Sequence, residues 1–265
     1  MPTLAEPQMQ RELPTLKGSI SLMTATLLPG NVAHMAERIR RQARGLDLPV
    51  FYLGRQHYWP VWELQKRLHA WRVAGEVCDV ALLLEHEPVY TLGKNAGEAH
   101  HLARRPADAE VVPTDRGGEV TFHGPGQLVG YPIIDLREHR PSVTWYVRGL
   151  EEVIIQTLSA LGLKGERMEG YPGVWVRQRK VAALGVRLAR WTTMHGFALN
   201  VSVPRRYFNG MISCGILEYG VANLNDCLNV PADVLGVARR LAPLLQGFLG
   251  REYGQVPPAN QAPAA

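Results

Sequence analysis

The sequence predicts an α+β fold in which helices pack against a mixed or antiparallel sheet. Apolar residues recur at helical spacing in three segments, and short apolar runs typical of strands stand between these segments. Two of the runs are separated by a short polar stretch, which is typical of a hairpin. The chain has 265 residues, of which 46% are hydrophobic, so it is long enough to bury the core of one domain.

The first elements follow from the apolar spacing between residues 50 and 92. Val61, Leu64, Leu68 and Trp71 are three or four residues apart, which predicts an amphipathic helix over residues 60–76. The run Val80–Leu84 is wholly apolar and precedes Pro88, as expected of a short buried strand. A strand is also predicted at 50–53, and residues 89–92 are either a continuation or a partner of the strand at 80–84.

The second half of the chain alternates in the same way. Six apolar residues between Val143 and Leu161 mark one face of a long helix, and Gly162 is placed to end it. Further strands are predicted at 128–136, 173–176, 180–188 and 197–203, with a hairpin turn at 177–179 and a last helix at 234–249.

Composition divides the chain into three parts. Residues 1–47 form an N-terminal extension that can be flexible. Its basic stretch Met35–Arg44 is either a short amphipathic helix or part of an extension from an early start codon, with Met23 or Met35 as the start. Residues 48–256 form the main domain, and residues 257–265, rich in Pro and Ala, form a flexible tail.

Charge and cysteine content exclude several classes of protein. The net charge of +5 is mild and no run of five like charges occurs, so nucleic acid is not an expected partner. Three cysteines without a C-x-x-C pair argue against a disulfide scaffold and a zinc ribbon, and no metal is expected. Neither a membrane-spanning run nor a signal-peptide pattern is found, so a cytoplasmic location is expected.

One segment combines glycine with polar groups at high density. Asp115–Gln127 holds four glycines, one proline, one arginine and one histidine between two strand-like runs. Glycine lets the backbone approach a ligand closely, so a binding loop is favoured over a surface turn. The segment is neither a phosphate-binding P-loop nor a dinucleotide-binding fingerprint, because G-x-x-x-x-G-K-[ST] is absent and no helix pattern follows.

Two further segments carry candidate chemistry. Lys180 opens an apolar strand whose small residues Ala182, Ala183 and Gly185 leave room beside it, and His195–Asn200 follows after an irregular stretch. In Met211–Ile216, Cys214 is followed by a glycine that would leave its thiol accessible. Cys78 and Cys227 are interpreted as structural, as most free cysteines are.

Together the three segments resemble the motifs of the lipoyl(octanoyl) transferases. The family pattern R-G-G-x-x-T-[YF]-H-G-P-G-Q is matched throughout by Arg116–Gln127. The patterns K-[IV]-A-[AS]-[IL]-G-[VIL] and H-G-x-A-L-N are matched by Lys180–Val186 and His195–Asn200. The third motif, close to P-C-G-I, is Ser213–Ile216 here, with Ser213 in place of the usual proline.

This resemblance implies a fold like that of biotin and lipoate protein ligases, and a cysteine–lysine dyad in residues 48–256. Cys214 would attack the thioester of octanoyl-acyl carrier protein and become acylated, and Lys180 would stabilise the thiolate and exchange protons in both half-reactions. No cofactor or ATP would be needed. The implied acyl site is lined by Arg116, Gly117, Gly118, Glu119, Val120, Thr121, Phe122, His123, Ala183, Leu184, Gly185, Gly196, Phe197 and Ala198.

The implied acceptors are the lipoyl domains of 2-oxoacid dehydrogenase E2 subunits and the glycine-cleavage H protein, with the enzyme acting as a monomer. His123 and His195 are interpreted as wall and loop-ordering residues, with a Cys–His dyad as the rival mechanism. Rival functions are an ATP-dependent lipoate or biotin ligase, a non-catalytic acyl-carrier-binding module and a cysteine-dependent hydrolase.

Overall fold

The computed structural model describes residues 22–24, 31–96, 102, 105–209 and 220–250. The predicted tail at 257–265, most of the first 30 residues and Cys214 with its neighbours lie outside this description. None of the helices within the described ranges is long and apolar enough to cross a membrane.

The described chain contains two sheets. Their strands are β1 Met23–Thr24, β2 Val50–Gln56, β3 Val80–His86, β4 Val89–Leu92, β5 Glu110–Pro113, β6 Val120–His123, β7 Gln127–Ile133, β8 Glu166–Met168, β9 Tyr171–Val176, β10 Arg179–Ala189 and β11 Thr192–Asn200. The larger sheet has eight strands in the order β1-β2-β3-β7-β11-β10-β9-β8, and the smaller has three in the order β5-β4-β6. In the larger sheet β1, β2 and β3 are parallel neighbours and the other pairs are antiparallel, so the predicted mixed sheet is confirmed.

Helices cover both faces of the larger sheet. Two of the three longest begin at side-chain caps: the Ser142 hydroxyl accepts a hydrogen bond from Trp145 N, and the Asp233 carboxylate accepts one from Gly236 N. Gly162, with φ +77°, follows the helix that ends at Ser159, as predicted. The α-helices are α1 Val32–Gln42, α2 Tyr58–Val73, α3 Val143–Ser159, α4 Arg206–Asn209 and α5 Val234–Leu249, and 3₁₀ turns lie at Leu136–Glu138 and Leu224–Asp226.

Two hydrophobic clusters hold the helices to opposite faces of the larger sheet. One contains apolar residues of α3 and α5 with Val174, Val176 and Leu199 of the sheet. The other contains residues of α1 and α2 with Leu82, Val129 and Ala198. Helix α1 confirms the helical alternative for Met35–Arg44, and it is part of this second cluster through Met35, Ala36 and Ile39.

One of the predicted strand relations is wrong. Strand β4 neither continues nor pairs with β3, because it pairs with β5 and β6 in the smaller sheet. The chain changes sheets at Pro88, which has no N–H to continue the ladder of β3. The segment Asp115–Gln127 is also more than a loop, since it contains strand β6.

Candidate active site

A small cavity, about 20 Å³ in volume, lies between the larger sheet and strand β6 of the smaller one. Strands β10 and β11 of the larger sheet form its floor. Residues that the sequence motifs single out make up most of its wall, although they come from segments far apart in the chain. The lining residues are Arg116, Thr121, His123, Tyr131, Ala183, Leu184, Gly185, His195, Gly196, Phe197 and Ala198.

The floor is built from small residues in two cross-strand pairs, which are separated in the ladder by the Leu184–Phe197 pair. Ala183 of β10 pairs with Ala198 of β11, and Gly185 pairs with Gly196. A Cβ atom on Gly196 would clash with the Gly130 carbonyl of neighbouring β7. Glycine is therefore required there, and the floor of the cavity is largely backbone.

Strand β6 forms the roof of the cavity, opposite the floor, and its side chains alternate between two directions. Thr121 and His123 face the cavity, whereas Val120 and Phe122 belong to a separate cluster on the other side of the strand. In that cluster the Phe122 ring stacks on Tyr207, with 4.5 Å between ring centroids. The structure therefore does not bring the side chains of Val120 and Phe122 into the cavity.

Arg116 connects the start of the glycine-rich motif to strand β4. Its guanidinium donates to the Thr91 carbonyl (2.6 Å), the Thr91 hydroxyl (2.8 Å) and the Glu119 carbonyl (2.8 Å), and its side chain is buried. Gly118 O accepts from Asn95 N, and a Cβ on Gly93 would clash with the same carbonyl. Gly117, Gly118 and Glu119 therefore shape the loop through backbone contacts and are not among the cavity-lining residues.

His123 is held by an amide network. Gln127 Nε2 donates to Phe122 O and to Asn200 Oδ1, so Gln127 Oε1 is the group that faces His123 Nδ1 at 2.9 Å. Because an amide oxygen only accepts, His123 Nδ1 carries the proton. Burial lowers the pKa of His123 well below its usual value, so the ring is neutral at pH 7.

Tyr131 and His86 form a second buried pair, which sequence reasoning missed. His86 Nδ1 donates to the Gln56 carbonyl (3.0 Å), so the other ring nitrogen, Nε2, accepts from the Tyr131 hydroxyl (2.9 Å). Burial lowers the pKa of His86 to about 4. The Tyr131 hydroxyl and the His86 ring nitrogens are thus hydrogen-bonded to each other and to the backbone, and Tyr131 lines the cavity.

His195 is another wall residue, and its backbone conformation is unusual. It has φ +58°, its N–H donates to Gln65 Oε1 (3.0 Å), and its Nε2 lies 3.0 Å from Asp115 Oδ1. Because a carboxylate only accepts, Nε2 carries a proton. Burial lowers the pKa of His195, and the bond from His195 is the main reason that the pKa of Asp115 is lowered.

Lys180 lies on the same face of the sheet as the cavity. Val174 and Val176 pack into the α3–α5 cluster, so Trp175 between them faces the opposite side. The Lys180 ammonium lies 5.0 Å from the centroid of the Trp175 ring. Lys180 N also donates to Gly220 O (3.1 Å), and its carbonyl accepts from Ala222 N (3.0 Å), so the chain pairs with β10 where it re-enters the described ranges after Cys214.

The comparisons with known proteins agree with one another. A family model described as the lipoyl protein ligase A/B catalytic domain matches residues 57–246. The octanoyltransferase of Gloeobacter violaceus is 52% identical over 160 residues, which cover 60% of this chain and 72% of the relative. The octanoyltransferase of Rubrobacter xylanophilus is 45% identical over 206 residues, covering 74% and 91%. This chain belongs to the octanoyltransferase family.

The fold of this octanoyltransferase-family chain is shared with a lipoate-protein ligase A bound with ATP. The two structures superpose with a TM-score of 0.59 at 14% identity, over 76% of this chain and 84% of the ligase. At this identity the likeness concerns the fold alone. It confirms the lipoate-ligase-like α+β architecture that the sequence motifs implied.

Two of the three octanoyltransferase motifs therefore meet around one cavity, and the third, Ser213–Ile216, lies outside the described residues. Within the described ranges no group of three or more His, Cys, Asp and Glu side chains could hold a metal ion. Cys78 donates to Ala43 O at 3.2 Å, and Cys227 packs against the α3–α5 cluster. These contacts agree with the structural roles predicted for both cysteines.

The buried imidazole of His86 predicts a pH dependence of stability. The folded chain keeps His86 neutral down to about pH 4, whereas an unfolded chain protonates histidine near 6.5. Between these values the unfolded state binds more protons, so the free energy of unfolding falls as the pH falls, by up to ~1.4 kcal/mol per pH unit. Above pH 6.5 this contribution is constant.

Urea unfolding of wild type and His86→Gln from pH 7.5 to 4.5 measures this effect. Glutamine offers one donor and one acceptor but does not titrate, so the variant should lose less stability than wild type across this interval. If the free energy of unfolding falls equally with pH in both proteins, His86 is not the cause of the pH dependence.

Proposed function

We propose that this protein is an octanoyltransferase that moves an octanoyl group from acyl carrier protein to a lysine of a lipoyl domain through a thioester on Cys214. The main support is that Arg116–Gln127 and Lys180–Asn200 share one cavity on the sheet face where the Lys180 ammonium lies. Relatives that are 45% to 52% identical carry the name octanoyltransferase.

The proposed reaction has two half-reactions. The Cys214 thiolate attacks the carbonyl of the donor thioester, the bond to the carrier's pantetheine sulfur breaks, and the proton from Lys180 goes to the departing thiolate. The amine of the acceptor lysine then attacks the acyl-enzyme. Neutral Lys180 takes a proton from that nitrogen, the C–S bond to Cys214 breaks, and an amide forms. The donor thioester supplies the activation, so no ATP or other cofactor takes part.

The wall of the cavity suits an apolar chain although several of its residues are polar. His123, Tyr131 and Arg116 bond to Gln127, His86 and backbone carbonyls respectively. Burial lowers the pKa of His86 and His123, so neither ring is charged at pH 7. A linear acyl chain would therefore meet the backbone of the floor and side chains whose hydrogen bonds to these partners are already made.

Lys180 is proposed as the partner of Cys214. Its ammonium lies over the Trp175 ring, and the residues that follow the Cys214 segment pair with its backbone at Gly220 and Ala222. A cation next to a thiol stabilises the thiolate, which is the nucleophilic form. We propose that the motif residues 116–123, 183–185 and 196–198 bind the substrate. Within the first range, Gly117, Gly118 and Glu119 would act through the backbone of the loop.

The proposed partners follow from this chemistry. The donor is octanoyl-acyl carrier protein, and the acceptors are lipoyl domains of 2-oxoacid dehydrogenase E2 subunits and the glycine-cleavage H protein. The net charge of +5 is compatible with an acidic carrier. The proposed location is the cytoplasm.

Intact-mass measurement after mixing with octanoyl-acyl carrier protein tests the proposal. Wild type is expected to gain the mass of one octanoyl group in a hydroxylamine-labile form, and Cys214→Ser is expected to lack this labile adduct. Cys227→Ser is the matched control, because Cys227 packs against the core, and this variant should acylate like wild type. Addition of a lipoyl domain should then discharge the wild-type adduct onto a lysine.

Other outcomes would select a rival function. Absence of an adduct, together with modification that requires free octanoate or lipoate and ATP, would favour a ligase. Release of free octanoate without an acceptor would indicate a hydrolase. Binding of the carrier protein without any transfer would indicate a binding module.

A further inference from the structure

Positively charged side chains lie together at the edge of the larger sheet where Lys180 is found. The start of β10 lies beside the end of β11, since Ala182 pairs with Leu199. The turn that precedes β10 and the segment that follows β11 therefore leave the sheet at the same edge. Arg177 lies in that turn and Arg205 in that segment, and both residues are exposed.

The carboxylate of Asp226 joins the two sides of this edge. Its Oδ1 lies 3.2 Å from Arg205 Nη2. Burial opposes ionisation of Asp226, but the N–H of Asn223 and the charges of Arg205 and Arg179 lower its pKa below the usual value. Asp226 is therefore an anion at pH 7, with Arg205 on one side and Arg179, the first residue of β10, close enough to act on it from the other.

The edge as a whole keeps an excess of positive charge. Four cations, Arg177, Arg179, Lys180 and Arg205, are opposed by the one carboxylate of Asp226, which leaves three positive charges. Neither Arg177 nor Arg179 forms an ion pair with any residue that the structure describes. Arg205 is 74% exposed although it is paired with Asp226, so an approaching molecule meets it as well. These four cations are called the basic edge below.

We infer that the basic edge is the docking surface for the acidic carrier protein that delivers the octanoyl group. The inference rests on the proposed function, which supplies an acidic donor whose thioester has to reach the side chain of Lys180. Exposed charges at the rim of an interface accelerate association with a partner of opposite charge and disfavour partners of like charge. The basic edge thus selects the carrier, whereas the cavity wall meets only the acyl group.

Steady-state kinetics with octanoyl-acyl carrier protein test this inference. Arg177→Glu, alone and combined with Arg205→Gln, is expected to raise KM and to lower kcat/KM by about tenfold or more in the double variant, with little change in kcat, because electrostatic steering contributes about 10- to 10³-fold to association rates. High salt should lower the wild-type kcat/KM towards that of the double variant. Octanoyl-pantetheine carries the same thioester without the protein, so its kcat/KM should be the same in wild type and variants.

Arg190→Glu is the matched control. Arg190 and Arg177 are both exposed and both have positive φ, +51° and +49°, in the turns at opposite ends of β10. The ten-residue rise of the strand separates the two turns by about 30 Å. The control therefore makes the same charge reversal in the same kind of turn, away from the basic edge, and should leave kcat/KM for the carrier donor unchanged.

Several results would overturn the inference. These are an unchanged kcat/KM in the double variant, an equal loss in Arg190→Glu, and an equal loss with octanoyl-pantetheine. A loss confined to discharge of the acyl-enzyme onto a lipoyl domain would also overturn it, because the basic edge would then serve the acceptor. If wild type is acylated by neither donor, the proposed function itself fails and the inference falls with it.

Discussion

Replacement of Lys180 by alanine is expected to slow octanoyl transfer by about 10²- to 10⁴-fold, the usual contribution of one acid–base group. The loss should affect both half-reactions, because the same ammonium is proposed to stabilise the Cys214 thiolate and later to accept a proton from the attacking amine. Single-turnover rates of acyl-enzyme formation and of discharge onto a lipoyl domain measure the two steps separately.

Lys180→Arg separates charge from proton transfer. Arginine keeps the positive charge but does not lose its proton in proteins. Acyl-enzyme formation should therefore be reduced less than discharge. The rate of discharge should also lose the increase with pH that deprotonation of Lys180 contributes in wild type. Lys164→Ala is the control, since Lys164 is 87% exposed and pairs only with Glu166 at the surface in the described contacts. A Lys180→Ala variant that acylates normally, beside a His123→Ala variant that does not, would instead support the Cys–His dyad.

Replacement of Asp79 by alanine is expected to cost about 3–5 kcal/mol of unfolding free energy, because it leaves a buried cation without its main partner. Asp79 Oδ1 accepts from Arg72 Nε (2.6 Å) and from Asp135 N (2.9 Å), and its Oδ2 lies 2.6 Å from His139 Nε2. Asp79 is 3% exposed and Arg72 5% exposed. Both residues lie away from the cavity, so the folded fraction should acylate normally.

Urea unfolding measures the free energy of unfolding of Asp79→Ala, and Arg137→Ala is the control variant. Arg137 pairs with Asp135 but is 54% exposed, so its removal should cost no more than about 1 kcal/mol. A loss below about 1.5 kcal/mol for Asp79→Ala would show that Glu138, 2.8 Å from Arg72, replaces the missing carboxylate.

Helices were the elements that the sequence predicted best, since their signals are local. Helix α5 runs over Val234–Leu249 as predicted, with Asp233 as its cap and a continuous apolar face. The start of β11 was missed because the turn before it, Arg190–Trp191, has positive φ at both residues but no glycine or asparagine. A tertiary contact supports this turn: Trp191 O accepts from Leu136 N.

The site was predicted where motifs mark it and missed where only packing does. The motif residues Thr121, His123 and Ala183 lie in the cavity wall. Tyr131 gave no signal because β7 is buried along its whole length, so no alternation distinguishes its two faces. The outward direction of Phe122 could have been foreseen, since it follows from period-two alternation once β6 is accepted as a strand.

The backbone floor of the cavity also limits how the acyl preference of the proposed site can change. At Gly196 every side chain, even a methyl group, would clash with the Gly130 carbonyl, so no substitution at this position can reshape the floor without separating β7 from β11. Evolution or engineering of a new chain length in the proposed acyl site must therefore act on its roof and walls. Thr121, Tyr131 and His195 line the cavity, and a change of size at these positions would reach a chain in the proposed acyl site without breaking a strand pair.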